Sequence, residues 1–340
     1  MSSSILNAPA IRQLILKSSK LSILIHKNPD GDALGSGLAL YNFLRTKGKK
    51  SFLLVPDAYP HYFRYLPGRE KMIVADKNPQ KASEILNQSN LIFALDFNRF
   101  DRLGCLQSVT ENLKVPKILI DHHPDPDTAQ WNFMYHYTSA SSTSELLFEF
   151  IQNVFPTDPL TADVATCLYT GIIMDTGGFM HNFSSKTYKI CASLLEFGAR
   201  SSEVNENLFQ KNSLDRIRLM GYSLYEKLFF NKEYGFAYIS LTQEEMKRFN
   251  FKKGDSEGFV NMILSIEGVF VAILITEQDN QITRLSLRSR GHIPVNNLAE
   301  QHFNGGGHLN AAGGQIEGNA KKAEALISEI LPLWLKSYLG

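Results

Sequence analysis

Three short apolar runs, residues 21–25, 91–95 and 118–120, each stop abruptly at a side chain with metal-binding or acid–base chemistry: His26, Asp96, and the triplet Asp121-His122-His123. Runs of this length, rich in β-branched residues, read as buried strands. With a fourth run at 52–55 they alternate with segments of helical period through about residue 200. That alternation predicts βαβ units, hence an α/β domain with a doubly wound parallel sheet. In open sheets of this kind ligands bind beyond the carboxyl ends of the strands. Three strands would therefore aim polar ends at one crevice.

The helices expected between them include residues 33–44 and one opened by the capping box Ser142-x-x-Glu145, with Leu147, Ile151 and Val154 on one stripe. Another carries Val164, Leu168 and Ile172 and ends at Asp175. Further on, a helical stretch over 214–230 (Ile217, Met220, Leu224, Leu228) precedes strand-like runs at 235–240, 269–276 and 282–287, and 320–335 reads as a closing helix. The expected division is an N-terminal domain over 1–205, a linker helix over 206–232 and a second, smaller α+β domain over 233–340.

With 340 residues and 44% hydrophobic content, the chain can bury a core in each domain. Lys+Arg number 35 against 34 Asp+Glu, so there is no global field to recruit long polyanions such as duplex nucleic acid. An anionic partner must be recognised locally. Cys105, Cys167 and Cys191 are odd in number and lack a C-x-x-C pair, which reads as reduced, packed thiols. No apolar run approaches the ~20 residues of a membrane span and no leader pattern opens the chain, so the expectation is a cytoplasmic location with no membrane partner.

The loop His26-Lys-Asn-Pro-Asp30-Gly-Asp32 sets two carboxylates around a glycine just before a helix. By itself it could equally be a turn with an N-cap. Asp175 stands at a helix C-terminus, against a macrodipole penalty of ~0.3–1 kcal/mol that a nearby cation would relieve. Asp30, Asp32, Asp96 and Asp175 could not all stay ionised if crowded together. Divalent ions would neutralise them. With His26 and His122 they make a mixed O/N donor set suited to two Mn²⁺, with Co²⁺, Fe²⁺ or Mg²⁺ as other candidates, and the lack of a cysteine argues against structural zinc.

These motifs, in this order, resemble those of the DHH phosphoesterases. The resemblance covers nearly the whole chain: H-K-N-P-D-G-D-A-L-G-S, L-D-F-N around Asp96, D-H-H-P, G-I-I-M-D-T-G-G around Asp175, then S-L-R-S-R around Arg288 and G-G-G-H-L-N-A-A-G-G. Within the family the chain is most similar to the bifunctional oligoribonucleases and 3′-phosphoadenosine 5′-phosphate phosphatases, some of them described as exopolyphosphatase-related. The resemblance implies that His26, Asp30 and Asp96 hold one ion and Asp32, Asp96, His122 and Asp175 the other, with Asp96 bridging. It implies that Asp121 orients His122 or takes a proton, and that His123 lies near the leaving oxygen. It also implies that Arg288, Gly305, Gly306, Gly307 and His308 bind a substrate phosphate. Asn304 stands where the family commonly has a further glycine, and Asn tolerates positive φ better than most residues.

The expected activity is hydrolysis of very short oligoribonucleotides to 5′-mononucleotides and release of phosphate from 3′-phosphoadenosine 5′-phosphate, with two ions activating water. The aromatic group Tyr59, His61, Tyr62, Phe63 and Tyr65 is expected to pack at the core or its rim rather than stack a base. Rival readings are a linear or cyclic dinucleotide phosphodiesterase, an exopolyphosphatase, and, from another class, a catalytically silent nucleotide-binding module. A homodimer is possible on any of them.

Overall fold

The computed structural model describes residues 7–278 and 281–339, which fall into two compact units divided between Lys211 and Asn212. In the first unit, β1 (Lys20–Leu24), β2 (Lys50–Val55), β3 (Ile73–Val74), β4 (Leu91–Leu95), β5 (Lys117–Asp121) and β6 (Phe133–His136) form one parallel sheet in the order β3-β2-β1-β4-β5-β6. Along β1, Leu21 and Ile23 face one core while Leu24 faces the other; along β4, Leu91, Phe93 and Leu95 alternate in the same way with Ile92 and Ala94. Both faces are thus apolar and both are covered, as a parallel sheet requires.

Helices α1 (Ala8–Lys17), α2 (Gly31–Thr46), α5 (Thr143–Val154), α6 (Ala162–Asp175) and α7 (Ser185–Glu196) pack on the first face, with α8 (Ser201–Asn205) beside them. On the second face lie α3 (Pro79–Asn87), α4 (Gln107–Asn112) and a 3₁₀ segment at Phe100–Leu106. The chain winds outward from β1 in one direction and from β4 in the other. The switch point, where such sheets bind ligands, therefore lies between the carboxyl ends of β1 and β4.

Close contact of α2 and α6 rests on two glycines. A Cβ on Gly35 would stand 2.6 Å from the Cys167 carbonyl oxygen and 2.8 Å from Gly171 N, and one on Gly171 would fall on Ser144 Oγ and lie 2.6 Å from Asp32 Oδ1. Of the expected aromatic group, Phe63 is fully buried, Tyr59, Tyr62 and Tyr65 pack against the core, and Tyr65 Oη lies 3.0 Å from Thr170 Oγ1.

The second unit opens with α9 (Leu214–Glu226) and continues through β7 (Leu228–Asn231), β8 (Phe236–Leu241), α10 (Gln243–Arg248), α11 (Phe259–Leu264), β9 (Val271–Gln278), β10 (Ile282–Ser289), α12 (Val295–His302), β11 (Gly306–His308), β12 (Ala311–Glu317) and α13 (Ala320–Leu339). Its mixed sheet runs β11-β12-β10-β9-β8-β7. Side chains of α12 and α13 close one face; α9, α10 and α11 close the other. The helix expected as a linker is therefore part of this unit: Leu219 of α9 is fully buried among Ala237, Ile239 and Phe259. Of the expected stripe, Met220 and Leu224 pack in this cluster, whereas Ile217 is exposed and Leu228 belongs to strand β7, because the helix ends at Glu226 and not at 230.

Candidate metal centre

Strand β1 delivers His26 to the switch point. The ring's Nδ1 lies 2.8 Å from the Lys27 carbonyl oxygen, so Nδ1–H donates there and Nε2 is the atom turned to the site. Nε2 faces Asp30 Oδ2 at 3.8 Å and Asp96 Oδ2 at 3.5 Å. Asp30 divides its two oxygens. Oδ1 caps α2, accepting from the amides of Asp32 (3.0 Å) and Ala33 (3.1 Å), while Oδ2 looks at His26. The N-cap and the ligand role are thus compatible at one side chain.

Asp32, one residue into α2, is buried, and its carboxylate accepts from two backbone amides at the start of α5, Thr143 N at 2.6 Å and Ser144 N at 2.9 Å. Unpaired amides and the macrodipole make a helix N-terminus a natural seat for a carboxylate. Ser142 caps α5 by accepting from Glu145 N, but the expected capping box is only half made: the Glu145 carboxylate accepts from Ser141 Oγ and Thr187 Oγ1 instead.

Asp96 follows β4 with φ of +64°, a left-handed conformation that costs a non-glycine residue ~1 kcal/mol or more. The turn swings its buried carboxylate back over the strand ends. There Oδ1 accepts from Thr143 Oγ1 at 3.0 Å and lies 3.6 Å from His122 Nε2. His122 repeats the arrangement of His26, with Nδ1 toward the Ala140 carbonyl at 3.4 Å and Nε2 3.4 Å from Asp175 Oδ2.

These imidazole–carboxylate gaps of 3.4–3.8 Å exceed the ~2.7–2.9 Å of a charge-assisted hydrogen bond. They approach the ~3.0–3.4 Å expected between neighbouring ligands of one ion at ~2.1 Å. Donor atoms of His26, Asp30 and Asp96 gather within 4.8 Å of one another, as do those of Asp32, Asp96 and His122. Asp96 belongs to both trios. Burial and the like charges of Asp96 and Asp175 push the Asp32 carboxyl well above the usual range. Burial favours a neutral His26 ring, yet its pairing with Asp30 and Asp96 outweighs this and raises it to about 10. Crowded acids, and a proton held where a cation would relieve them, fit a divalent ion at each trio.

Asp121, fully buried at the end of β5, serves His123 rather than His122. Its Oδ2 accepts from His123 N at 3.1 Å and its Oδ1 from His123 Nδ1 at 2.8 Å. The expected pairing with His122 fails because that ring's Nδ1 turns to Ala140. Burial raises the Asp121 carboxyl. His136, at the end of β6, places Nε2 2.5 Å from the His123 carbonyl oxygen. His136 and Thr143 were not singled out from the sequence. The Ser142 cap was a signal for Thr143, since it implies free amides in the next two residues.

In the second unit the glycine-rich string is a hairpin, not an open loop. β11 pairs antiparallel with β12 through Gly306–Gly313, Gly307–Ala312 and His308–Ala311, while Arg288 of β10 also stands opposite Ala311. Directly opposed residues share a sheet face, so Arg288 and His308 flank the small Ala311 on one side. The glycines are explained by contact: a Cβ on Gly305 would fall on the Gly313 carbonyl oxygen and one on Gly314 would meet Phe303. Asn304 takes φ of +46°, the conformation expected of it.

Carboxylates and imidazoles gathered at the switch point of a parallel sheet form a candidate metal centre. The chain belongs to the DHH family: residues 20–172 match the DHH family N-terminal domain and residues 232–333 the DHHA1 domain. It is 29% identical to the bifunctional oligoribonuclease and PAP phosphatase NrnA of Thermus thermophilus, over 87% of this chain and 84% of that protein. A crystal structure of an exopolyphosphatase-related protein from Bacteroides fragilis superposes with a TM-score of 0.92 and 35% identity, over 97% of this chain and 96% of that one. The chain also matches the membrane protein–large ribosomal subunit bL9 fusion protein of Aster yellows witches'-broom phytoplasma at 29% identity, spanning 38% of that protein's length. Among the described residues no helix is long and apolar enough to cross a membrane.

Proposed function

We propose that the chain hydrolyses very short oligoribonucleotides to 5′-mononucleotides and removes phosphate from 3′-phosphoadenosine 5′-phosphate, using two divalent ions, Mn²⁺ foremost, held by His26, Asp30, Asp32, Asp96, His122 and Asp175. The observation that carries the reading is the pair of donor trios sharing Asp96. Such ions, when bound, supply charge for the phosphoryl oxygens and lower the pKa of water.

The side chains do the rest. Asp96, fixed by Thr143 Oγ1 and by its strained backbone, keeps the two trios in register. The amides of Thr143 and Ser144 hold Asp32 in place. Asp121 holds His123 by backbone and ring together, accepting from its Nδ1–H, an arrangement that suits a protonated ring whose Nε2–H gives its proton to the leaving oxygen. Arg288 and His308, side by side across Ala311, suit a substrate phosphate through a fork of guanidinium donors and one imidazole. The relation to NrnA supports this substrate choice.

The test is turnover, with Mn²⁺, of 3′-phosphoadenosine 5′-phosphate and a 5′-labelled RNA dinucleotide by the wild type and Asp96→Asn. Turnover of both by the wild type and loss in the variant is the expected result. A wild type that cleaves only cyclic or linear dinucleotide messengers, or polyphosphate, would replace the proposed substrate. A fully active Asp96→Asn would remove the metal centre itself.

A further inference from the structure

The segment after Asp96 carries a cation that none of these roles uses. Phe100, Leu103 and Leu106 of the 3₁₀ segment are buried at spacings of three, which leaves Arg102 on another side of it, half-buried. Its backbone is pinned to the end of β1: Lys27 N–H donates to the Arg102 carbonyl at 2.7 Å. Gly104, at φ of +55°, passes so close that an added Cβ would touch the Lys27 side chain at 3.5 Å. Arg102 is thereby held beside His26 by two separate constraints.

The basic neighbours are accounted for. Arg99 pairs with Asp101 at 3.6 Å, and Lys27 Nζ donates to the Asp101 carbonyl at 3.4 Å. Among the described residues the Arg102 guanidinium makes no hydrogen bond, ion pair or ring contact, although its charge acts on both His26 and Asp121. A guanidinium cannot discard its charge. Left unpaired beside a cation site it weakens that site's hold on its ions, unless an anion comes to lie between them. An anion bound to both ions and guanidinium removes the conflict.

We infer that Arg102 is a substrate-binding residue that grips a phosphate oxygen at the metal centre, on the side of His26. The inference rests on the function proposed above for its substrate, but the ligand it requires is only a phosphate group. It assigns the first unit a phosphate contact of its own, independent of Arg288 and His308.

The test measures inorganic phosphate binding to the Mn²⁺-loaded chain by calorimetry, with Mn²⁺ affinity and thermal midpoint measured alongside, for wild type, Arg102→Gln and Arg102→Lys. The expected result is a tenfold or greater rise in the phosphate Kd for Arg102→Gln, with Mn²⁺ bound no more weakly than by the wild type when phosphate is absent, and with partial recovery of phosphate affinity in Arg102→Lys. In turnover the same variants would raise KM more than they lower kcat. Unchanged phosphate affinity would overturn the inference, as would a loss matched by an equal loss of Mn²⁺ affinity, which would make Arg102 a structural counter-charge to Asp121. If the wild type cleaves no nucleotide yet binds phosphate through Arg102, the proposed function fails and this inference stands.

Discussion

The first unit holds its polar residues from two sides; the second displays them on a sheet. Asp32 sits on α2 but is gripped by the start of α5, Asp96 follows β4 but takes a bond from Thr143, and the imidazoles of His26 and His122 both turn Nδ1 to backbone carbonyls. Arg288 and His308 are placed by strand register alone, opposite Ala311. A site built in the first manner tolerates little displacement, as ion coordination demands. One built in the second can follow ligands of different shape. Substitutions in the first unit should therefore reach metal affinity and kcat, and those in the second chiefly KM.

The sharpest test of this contrast is Asp96→Asn. Withdrawing a shared ligand removes several kcal/mol of stabilisation, or about three orders of magnitude in kcat. A Mn²⁺ titration run beside the turnover assay reads the cause: weaker Mn²⁺ binding together with lost kcat marks a ligand, whereas lost kcat at unchanged Mn²⁺ affinity would mark another role. Thr143→Val, which removes only the hydroxyl bonded to Asp96, is expected to cost ~10–100-fold in metal affinity or activity. Arg288→Ala carries the other half of the comparison: KM rises, and Mn²⁺ affinity is unchanged in a titration.

Much of this was legible in the chain because strand ends are. An apolar run that stops at His26 or Asp96 states both where the strand ends and which chemistry stands there, and a parallel sheet with its switch point supplies the rest. The glycines at 305–307 were harder to read. Phosphate cradles and tight hairpins both call for glycine, and the contacts of a would-be Cβ with β12 show that packing explains Gly305 and Gly307, whereas Gly306 has room for a side chain beside Glu300. The pairing of Asp121 with His122, one of the two roles expected of it, is not made for a similar reason: adjacent imidazoles are alike in sequence, and the carbonyl that claims the His122 ring comes from Ala140. Ser144 and the amide of Thr143 are hard to read because backbone donors are blind to side-chain identity, and the Thr143 hydroxyl because its partner Asp96 lies 47 residues away in the chain.

Glycine substitutions carry the contrast into stability. Gly171→Ala would press a methyl group onto Ser144 and Asp32 at the α2–α6 contact, an overpacking cost of ~1–3 kcal/mol, and should also loosen metal binding because Asp32 must move. Gly305→Ala meets the backbone of β12 instead. It is expected to destabilise the second unit's hairpin while leaving Mn²⁺ affinity intact, and hydrogen exchange of the 306–317 amides together with a Mn²⁺ titration would separate the two outcomes.

The smallest effect expected is a pH dependence confined to the second unit. Glu245 caps α10 and stands 2.7 Å from Lys227 Nζ and 2.6 Å from Tyr222 Oη. Partial burial works against its charge, but the bonds from Lys227, the Thr242 amide and Tyr222 win and hold the carboxyl down at about 2. An acid whose folded pKa lies below its unfolded one adds stability above the unfolded value, and that stability fades as pH falls from about 4.5 toward about 2. Glu245→Gln should flatten the acid limb of the second unit's stability curve, while the first unit, where Asp32 and Asp121 are raised and Asp30 and Asp96 lowered, keeps its own pH response. Hydrogen exchange of β8 and β9 amides between pH 5 and 2.5, wild type against variant, reads the difference locally. Equal acid sensitivity in both proteins would show that the Lys227–Glu245 pair is too well solvated to matter.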